Sequence, residues 1–462
     1  MDPRASDDLT EAHGARDRAR PDDGPGGAGV SAARTAHTVE QYRDHVLTLV
    51  SPLAAEQVGL DELATGAPAL RVLAQDVRSL LDVPRFDASA MDGYAVRSTD
   101  LTTASAASPV TLRVVGDIAA APTSPGSPDA LPAGSTHGPG EATRIMTGAP
   151  VPEWCDAVVP VERTSTRRFV AGAPLDATIQ VDAPSRPNIR YRAEDVAVGD
   201  LVAAAGAPTT ARLVSAAASA GHATLPVHRV PRVAVLSTGS ELVPVGTAPG
   251  PGQIPDSNSL LLAACVRDAG GVPVRVGAVP DTAEALRAVL DDVAPHVDLI
   301  VTSGGVSAGA FDVVKDVLSG PQDAALPAAG PSDVLLVTVG MQPGKPQAAA
   351  RWRGTPLLGL PGNPVSAYVS FQAFVRPAVR RLAGHPGPAE PLVERVAAEG
   401  WRSPAGRQQF LPVRFVGARG VAPLGPGGHH VSALTRADAI AVVPSEVEAV
   451  GPGDTVHVMV IA

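Results

Sequence analysis

Between Val233 and Leu382 short apolar runs alternate with amphipathic stretches, and this alternation restricts the fold more than any other feature of the chain. Val233–Leu236 reads as a strand, and Ser257 or Asn258 offers a cap for a helix through Asp268 that Gly270 and Gly271 end. Val272–Val276 reads as a second strand. Asp281, with Glu284 close behind, reads as the capped start of a helix over Ala283–Val293. Leu299–Thr302 is a further strand, Phe311–Leu318 a short helix and Val334–Val339 another strand. Asn363 followed by Pro364 starts a helix that runs to about Leu382 and stops at Gly384. Such alternation predicts a parallel sheet with helices on both faces.

The flanks read differently. Up to about Ala36 the chain is charged and rich in Gly, Pro and Ala, a composition that buries too little apolar surface to offset its ordering entropy. Val39, Tyr42, Val46, Leu47 and Val50 then recur at helical spacing. From Leu60 to Thr224 short β-like runs such as Thr111–Val115, Ala157–Val161 and Thr178–Val181 sit among turn residues, with a loop over Ala121–Gly140. After Pro386 short β-like segments return, ending with Thr455–Ile461, as expected of a small C-terminal β domain. A length of 462 residues fits two to four domains, and 45% hydrophobic residues allow each a core.

Composition excludes several classes of function. The net charge of −10, with only 3 Trp, 4 Tyr and 7 Phe, argues against nucleic-acid or anionic-membrane binding. Cys155 and Cys265 form neither a disulfide framework nor a zinc pattern, which favours a reducing compartment. The charge-free stretch Gly354–Val375 is broken by Pro and Gly in its first half, so no membrane span is expected. No apolar signal core opens the chain, and a cytoplasmic location follows as the expectation.

In an open parallel sheet, ligands bind beyond the carboxyl ends of the strands. Those ends carry Ser237-Thr238-Gly239-Ser240-Glu241, then Asp281, then Ser303-Gly304-Gly305-Val306-Ser307 with Asp312 beyond. Gln342-Pro343-Gly344-Lys345-Pro346 and Leu360-Pro361-Gly362-Asn363-Pro364 follow. Taken singly, each has a plain structural reading: a Gly turn, a helix cap at Asp281, a solvated Lys345, an exposed Glu241. Gathered on one rim, they favour a phosphate-bearing ligand, with Mg²⁺ bridging acidic protein and anionic ligand. There is no Walker A loop, and no G-x-G-x-x-G follows the first strand.

Several longer segments go further. Phe86-Asp-Ala-Ser-Ala-Met-Asp-Gly-Tyr-Ala-Val96, Arg144-Ile-Met-Thr-Gly-Ala-Pro150, and Asn188-Ile-Arg followed by Glu194-Asp195 accompany Ser237–Glu241, Ser303–Ser307, Pro343–Pro346 and Pro361–Pro364. From about Thr38 onward the sequence resembles the molybdopterin molybdenumtransferase family, the MoeA proteins and the E domain of gephyrin. The resemblance implies insertion of molybdate into adenylylated molybdopterin, with Mg²⁺ as cofactor and AMP as by-product. The sulfurs that receive molybdenum belong to the pterin, so no protein thiol is required.

The resemblance also implies an elongated homodimer of multidomain α/β plus β subunits, with the active site near the subunit interface. Its divisions would be a disordered tail (1–36), an N-terminal helix on the α/β domain (38–59), an elongated domain I (60–78 and 199–228) and a β-rich domain II (79–198). An α/β molybdopterin-binding domain III (229–384) and a C-terminal β-barrel-like domain IV (385–462) would follow. Catalytic roles would fall to Asp92, Thr147, Asp195, Glu241 and Lys345, and metal binding to Asp281 and Asp312 with Glu241. Substrate would meet Ser237, Thr238, Gly239, Ser303, Gly304, Gly305, Ser307, Gly344, Pro361, Gly362, Asn363, Pro364 and, in domain IV, Ser432. Transient contact with the adenylyltransferase that supplies the substrate is a further implied partnership.

Two departures stand out. Gln342 replaces a frequent Lys or Arg, and Trp154 replaces a turn Gly in Pro152-Glu-Trp-Cys-Asp156. Two other readings use the same α/β residues: the adenylyltransferase itself, argued against by the β-rich region Leu60–Thr224, and a non-catalytic gephyrin-like scaffold, which would not need the acidic set.

Overall fold

The computed structural model describes residues 36–66, 71–120, 137–170, 174–306, 312–320, 330–387, 391–425 and 431–461. The tail expected to be disordered, most of the Ala121–Gly140 loop and Ser307 lie outside them.

The helix expected near the N-terminus is α1 (Val39–Thr48). Thr38 and Gln41 close it with a reciprocal capping box, each side chain bonding the other's backbone N–H. Its apolar stripe of Val39, Tyr42 and Val46 is buried, and Tyr42 meets Phe374 edge to face with ring centroids 4.7 Å apart.

The central sheet contains β1 (Arg232–Thr238), β2 (Val272–Val279), β3 (Leu299–Ser303), β4 (Pro331–Thr338), β5 (Pro346–Trp352) and β6 (Thr355–Leu360). Their order is β2-β1-β3-β6-β5-β4. Between them run α2 (Asn258–Asp268), α3 (Ala283–Val293) and α4 (Val313–Ser319). After β6, α5 (Pro364–Ser370) continues through a π turn, Phe371–Val375, into α6 (Arg376–Leu382). Both faces are covered, so the strands are apolar at successive positions rather than at alternate ones. Val233, Val235, Leu299 and Val301 pack in a core shared with α1, α2, α5 and α6, whereas Ala234, Leu236 and Ile300 face α3 and α4. Each fully buried Val, Leu or Ile here contributes about 1.5–3 kcal/mol.

The sheet differs from expectation at one edge. β2, β1, β3 and β6 are parallel, but β5 is antiparallel to β6 and β4 antiparallel to β5. The strand expected at Val334–Val339 is therefore not a parallel neighbour, and the fourth parallel strand is β6. Neither β5 nor β6 carries an obvious strand signal: β5 is rich in Ala, and β6 contains Pro356 and Gly359. Burial selects those small residues, since Ala348, Ala349 and Ala350 are fully enclosed and a Cβ on Gly359 would fall 2.8 Å from Val306 Cγ1. Two antiparallel steps return β4 to the direction of β6, so its carboxyl end reaches the same rim.

Two helix caps also differ. Ser257 makes no cap bond; the buried Asp256 carboxylate instead accepts from the Ser259 N–H at 3.1 Å and its hydroxyl at 2.5 Å. α3 is capped by Thr282, whose hydroxyl accepts from the Ala285 N–H at 3.2 Å, so Asp281 is free of that duty. Asn363 caps α5 as expected, accepting from Val365 and Ser366 N–H.

Beyond Pro386 the strands Gln408–Val416, Gly420–Pro423, Val393–Ala397, Thr455–Val460 and Ala439–Val443 pair in sequence and close on themselves as a small barrel. Met341–Gln342 pairs with Gln408 and Gln409, tying the loop before Lys345 to this barrel. On the N-terminal side, Ala55–Gly59 pairs with Thr224–His228 and Val77–Arg78 with Leu201–Ala203. A five-stranded sheet orders Ala157–Pro160, Gly93–Val96, Glu141–Ile145, Val110–Ile118 and Thr178–Val181. No described helix is long and apolar enough to cross a membrane.

Candidate active site

The carboxyl ends of β1, β3 and β6 open onto a cleft of about 470 Å³. Thr238, Gly239, Glu241, Asp281, Ser303, Gly304, Gly305 and Pro361–Pro364 line it, so most of the rim residues read from the sequence come together. Close approach sets the glycines. A Cβ on Gly304 would lie 2.6 Å from the Thr238 carbonyl, and one on Gly305 would lie 3.0 Å from the Thr238 hydroxyl and 3.1 Å from Val314. Both have positive φ, +96° and +65°, which glycine adopts without penalty.

The carboxylates are arranged for a ligand rather than for each other. The Glu241 carboxylate folds over Gly239, where a Cβ would meet it at 2.7 Å. Asp281 accepts from the Ser240 N–H at 2.9 Å, and the Ser240 hydroxyl accepts from the Asp281 N–H at 3.3 Å. Asp312 does not line the cleft; it is 8% exposed, and one of its oxygens is buried without a partner among the described residues. Among the described residues, no group of three or more His, Cys, Asp or Glu side chains is gathered to hold a metal ion on protein ligands alone. Mg²⁺ does not require such a cage, since one or two carboxylates and substrate phosphates suffice. The two cleft carboxylates, Glu241 and Asp281, fit that mode.

Ser237 is 1% exposed with an unpartnered hydroxyl and sits behind the lining rather than in it. Lys345 is exposed beside Pro346, which does line the cleft. Its loop is held from below: Gln347 Nε2 donates to the Gly344 carbonyl and to Ser370 Oγ, each at 2.7 Å. Arg407, unforeseen in the sequence, donates to Gln342 Oε1 at 3.3 Å, and neither of the two lines the cleft. Asp256 and Asn258 also line the cleft; sequence reasoning had treated Asn258 only as a cap.

The N-terminal candidates form a separate group. Asp92 Oδ1 accepts from the Thr147 N–H at 2.7 Å and its hydroxyl at 2.8 Å, joining residues 55 positions apart. Gly93 is required there, because a Cβ would fall 2.0 Å from the Val159 carbonyl. Asp195 is exposed, its N–H donating to the Val83 carbonyl at 3.0 Å. Within one chain none of these three lines the cleft, nor does Ser432, which lies on the one-turn helix Val431–Leu434 rather than a strand. The turn at Trp154 still closes, with the Cys155 N–H donating to the Pro152 carbonyl at 3.0 Å, and the indole stacks on His137 at 3.7 Å. Burial pushes the Cys155 and Cys265 thiols up to about 11 and about 12, so neither is a thiolate nucleophile near neutrality.

Three family models account for almost the whole described chain. A model described as "MoeA N-terminal region (domain I and II)" matches residues 37–221. One described as "Probable molybdopterin binding domain" matches 234–381, and "MoeA C-terminal region (domain IV)" matches 394–461. The chain belongs to the MoeA family. Molybdopterin molybdenumtransferase 2 of Mycobacterium tuberculosis (strain ATCC 25618 / H37Rv) is 43% identical over 389 residues, 84% of this chain and 91% of that protein. The molybdopterin molybdenumtransferase of Bacillus subtilis (strain 168) is 31% identical over 395 residues, covering 85% and 87%. A crystal structure of the molybdopterin biosynthesis MoeA protein from Pyrococcus horikosii superposes with a TM-score of 0.74 at 29% identity, covering 92% of this chain and 99% of that one. The cleft lies within the segment matched by the molybdopterin-binding model.

Proposed function

We propose that this MoeA-family chain is a molybdopterin molybdenumtransferase of molybdenum cofactor biosynthesis, acting on adenylylated molybdopterin and molybdate. The observation that carries the reading is the cleft itself: glycine loops, buried hydroxyls and carboxylates at the carboxyl edge of β1, β3 and β6. In the reaction the two dithiolene sulfurs replace one molybdate oxygen, which leaves as water with their two protons, and water cleaves the phosphoanhydride so that AMP leaves and the pterin keeps its own phosphate.

The backbone N–H groups of Gly305, Gly362 and Asn363 would cradle phosphate oxygens. Lys345, exposed next to the cleft-lining Pro346, would supply a cation to the phosphates. Glu241 and Asp281, which both line the cleft, would hold Mg²⁺ against the substrate phosphates, where it would offset their charge.

A homodimer completes this reading. Asp92, Thr147 and Asp195 lie away from the cleft of their own chain, and Phe86, Met91 and Tyr191 beside them are 46%, 41% and 49% exposed. A second subunit would cover that apolar surface and carry its acidic group to the neighbouring cleft. The two free buried cysteines fit a reducing cytoplasm, and direct transfer from the adenylyltransferase would shield the substrate from water.

Purified protein is given adenylylated molybdopterin, Mg²⁺ and molybdate, and AMP is quantified. Molybdate-dependent AMP release with formation of active cofactor is expected; no release, or equal release without molybdate, refutes the assignment.

A further inference from the structure

Asn258 opens α2 but takes no part in capping it, because Asp256 does so. Its amide instead spans the two loops that follow β3 and β6. Nδ2 donates to Ser303 Oγ and to the Gly362 carbonyl, each at 2.7 Å. A carbonyl only accepts, so the group facing Gly362 is the NH₂, and the orientation of the amide is settled by chemistry. The same NH₂ therefore makes Ser303 Oγ an acceptor. Ser303 is 1% exposed and its hydroxyl makes no other hydrogen bond among the described residues, so its single proton is left to donate into the cleft. The loops are already close, since a Cβ on Gly362 would lie 3.5 Å from Gly304 Cα and the Gly304 N–H donates to the Leu360 carbonyl at 3.0 Å. Asn258 Oδ1 is buried and has no partner among the described residues.

We propose that Asn258 is a positioning residue that holds the Ser303 hydroxyl as a donor toward an anionic oxygen of the ligand and keeps the Ser303–Gly305 and Gly362 loops at one spacing. The role rests on the reading of this cleft as the site for a phosphate-bearing pterin. Asn258→Asp tests it with almost no change of shape. A carboxylate at 258 only accepts: it faces the Gly362 carbonyl without a proton, draws the Ser303 hydroxyl proton to itself and adds a negative charge beside an anionic ligand.

Full-length protein is assayed with adenylylated molybdopterin for KM and kcat, alongside Tm. Asn258→Asp is expected to raise KM at least about tenfold, with a smaller change in kcat. Ser303→Ala is expected to raise KM as well. The double variant should be no worse than about twofold beyond the worse single variant, because both remove the same donor. Multiplying effects, or an unchanged KM in Asn258→Asp, overturn the role while wild-type turnover leaves the transferase assignment standing. Wild-type protein that neither binds nor turns over the substrate overturns that assignment and the positioning role with it. If Asn258→Asp does not fold, Asn258→Ala takes its place, with the same KM rise and the same lack of additivity expected.

Discussion

Replacing Gly304 by Ala attacks the cleft at its tightest backbone contact, and two separable costs follow. Gly304 has φ +96°, a conformation that strains an L-residue by about 1–2 kcal/mol. The new Cβ would also lie 2.6 Å from the Thr238 carbonyl and 2.9 Å from the Thr238 hydroxyl. That carbonyl belongs to β1, which is paired with β2 and β3 and has nowhere to retreat, so overpacking adds about 1–3 kcal/mol. The expected total is about 2–5 kcal/mol.

Gly354→Ala supplies the control. Gly354 joins β5 to β6 in the same domain with φ +85°, but nothing lies within 4 Å of its would-be Cβ. It carries the strain alone, about 1–2 kcal/mol. Trp352, 3% exposed in β5 and donating through Nε1 to Asp291, reports unfolding of this domain once Trp154 and Trp401 are changed to Phe. Urea titration of both variants in that background should place Gly304→Ala about 1–3 kcal/mol below Gly354→Ala. Losses equal within about 0.5 kcal/mol would refute the claim that Thr238 packs directly against the Ser303–Gly305 loop.

Two further outcomes follow from the geometry. If the Asp92 group of one subunit serves the cleft of the other, Asp92→Ala and Lys345→Ala proteins, each impaired alone, regain up to roughly a quarter of wild-type activity when unfolded and refolded as a mixture, because heterodimers hold one intact site. No recovery in mixtures shown to contain heterodimer removes the composite site. Separately, burial lowers the pKa of His137 below 6.5, so the unfolded chain binds more protons and this contribution to stability, present above pH 6.5, is lost as pH falls through the folded value. Tm should fall from pH 7.5 to 5.5, and less steeply in His137→Gln; an identical slope excludes His137 as a source.

The rim of the cleft was largely legible in the sequence. Strands β1 and β3 are short apolar runs followed at once by glycine and hydroxyl residues, and local periodicity is enough to place such loops at a sheet edge. Asn363-Pro364 likewise announces α5 through purely local chemistry. β5 and β6 were not legible, because their Ala, Gly and Pro residues contradict strand propensity and are selected by burial on both faces. Nor do residue types reveal which of several neighbouring polar residues caps a helix, as Asp256 and Thr282 show, since the choice depends on backbone angles and on what else competes for each side chain.

By itself, then, the sequence determined the α/β alternation, the loops that face the ligand and the family likeness, all of which rest on short-range spacing. Only the tertiary structure decided which side chains act together. Asp92 with Thr147, Asn258 with Ser303 and Gly362, and Arg407 with Gln342 are separated by 55, 45, 104 and 65 positions. Such pairs exist only after the intervening strands have found their partners, because a hydrogen bond needs its atoms within about 3 Å and no local pattern can bring them there.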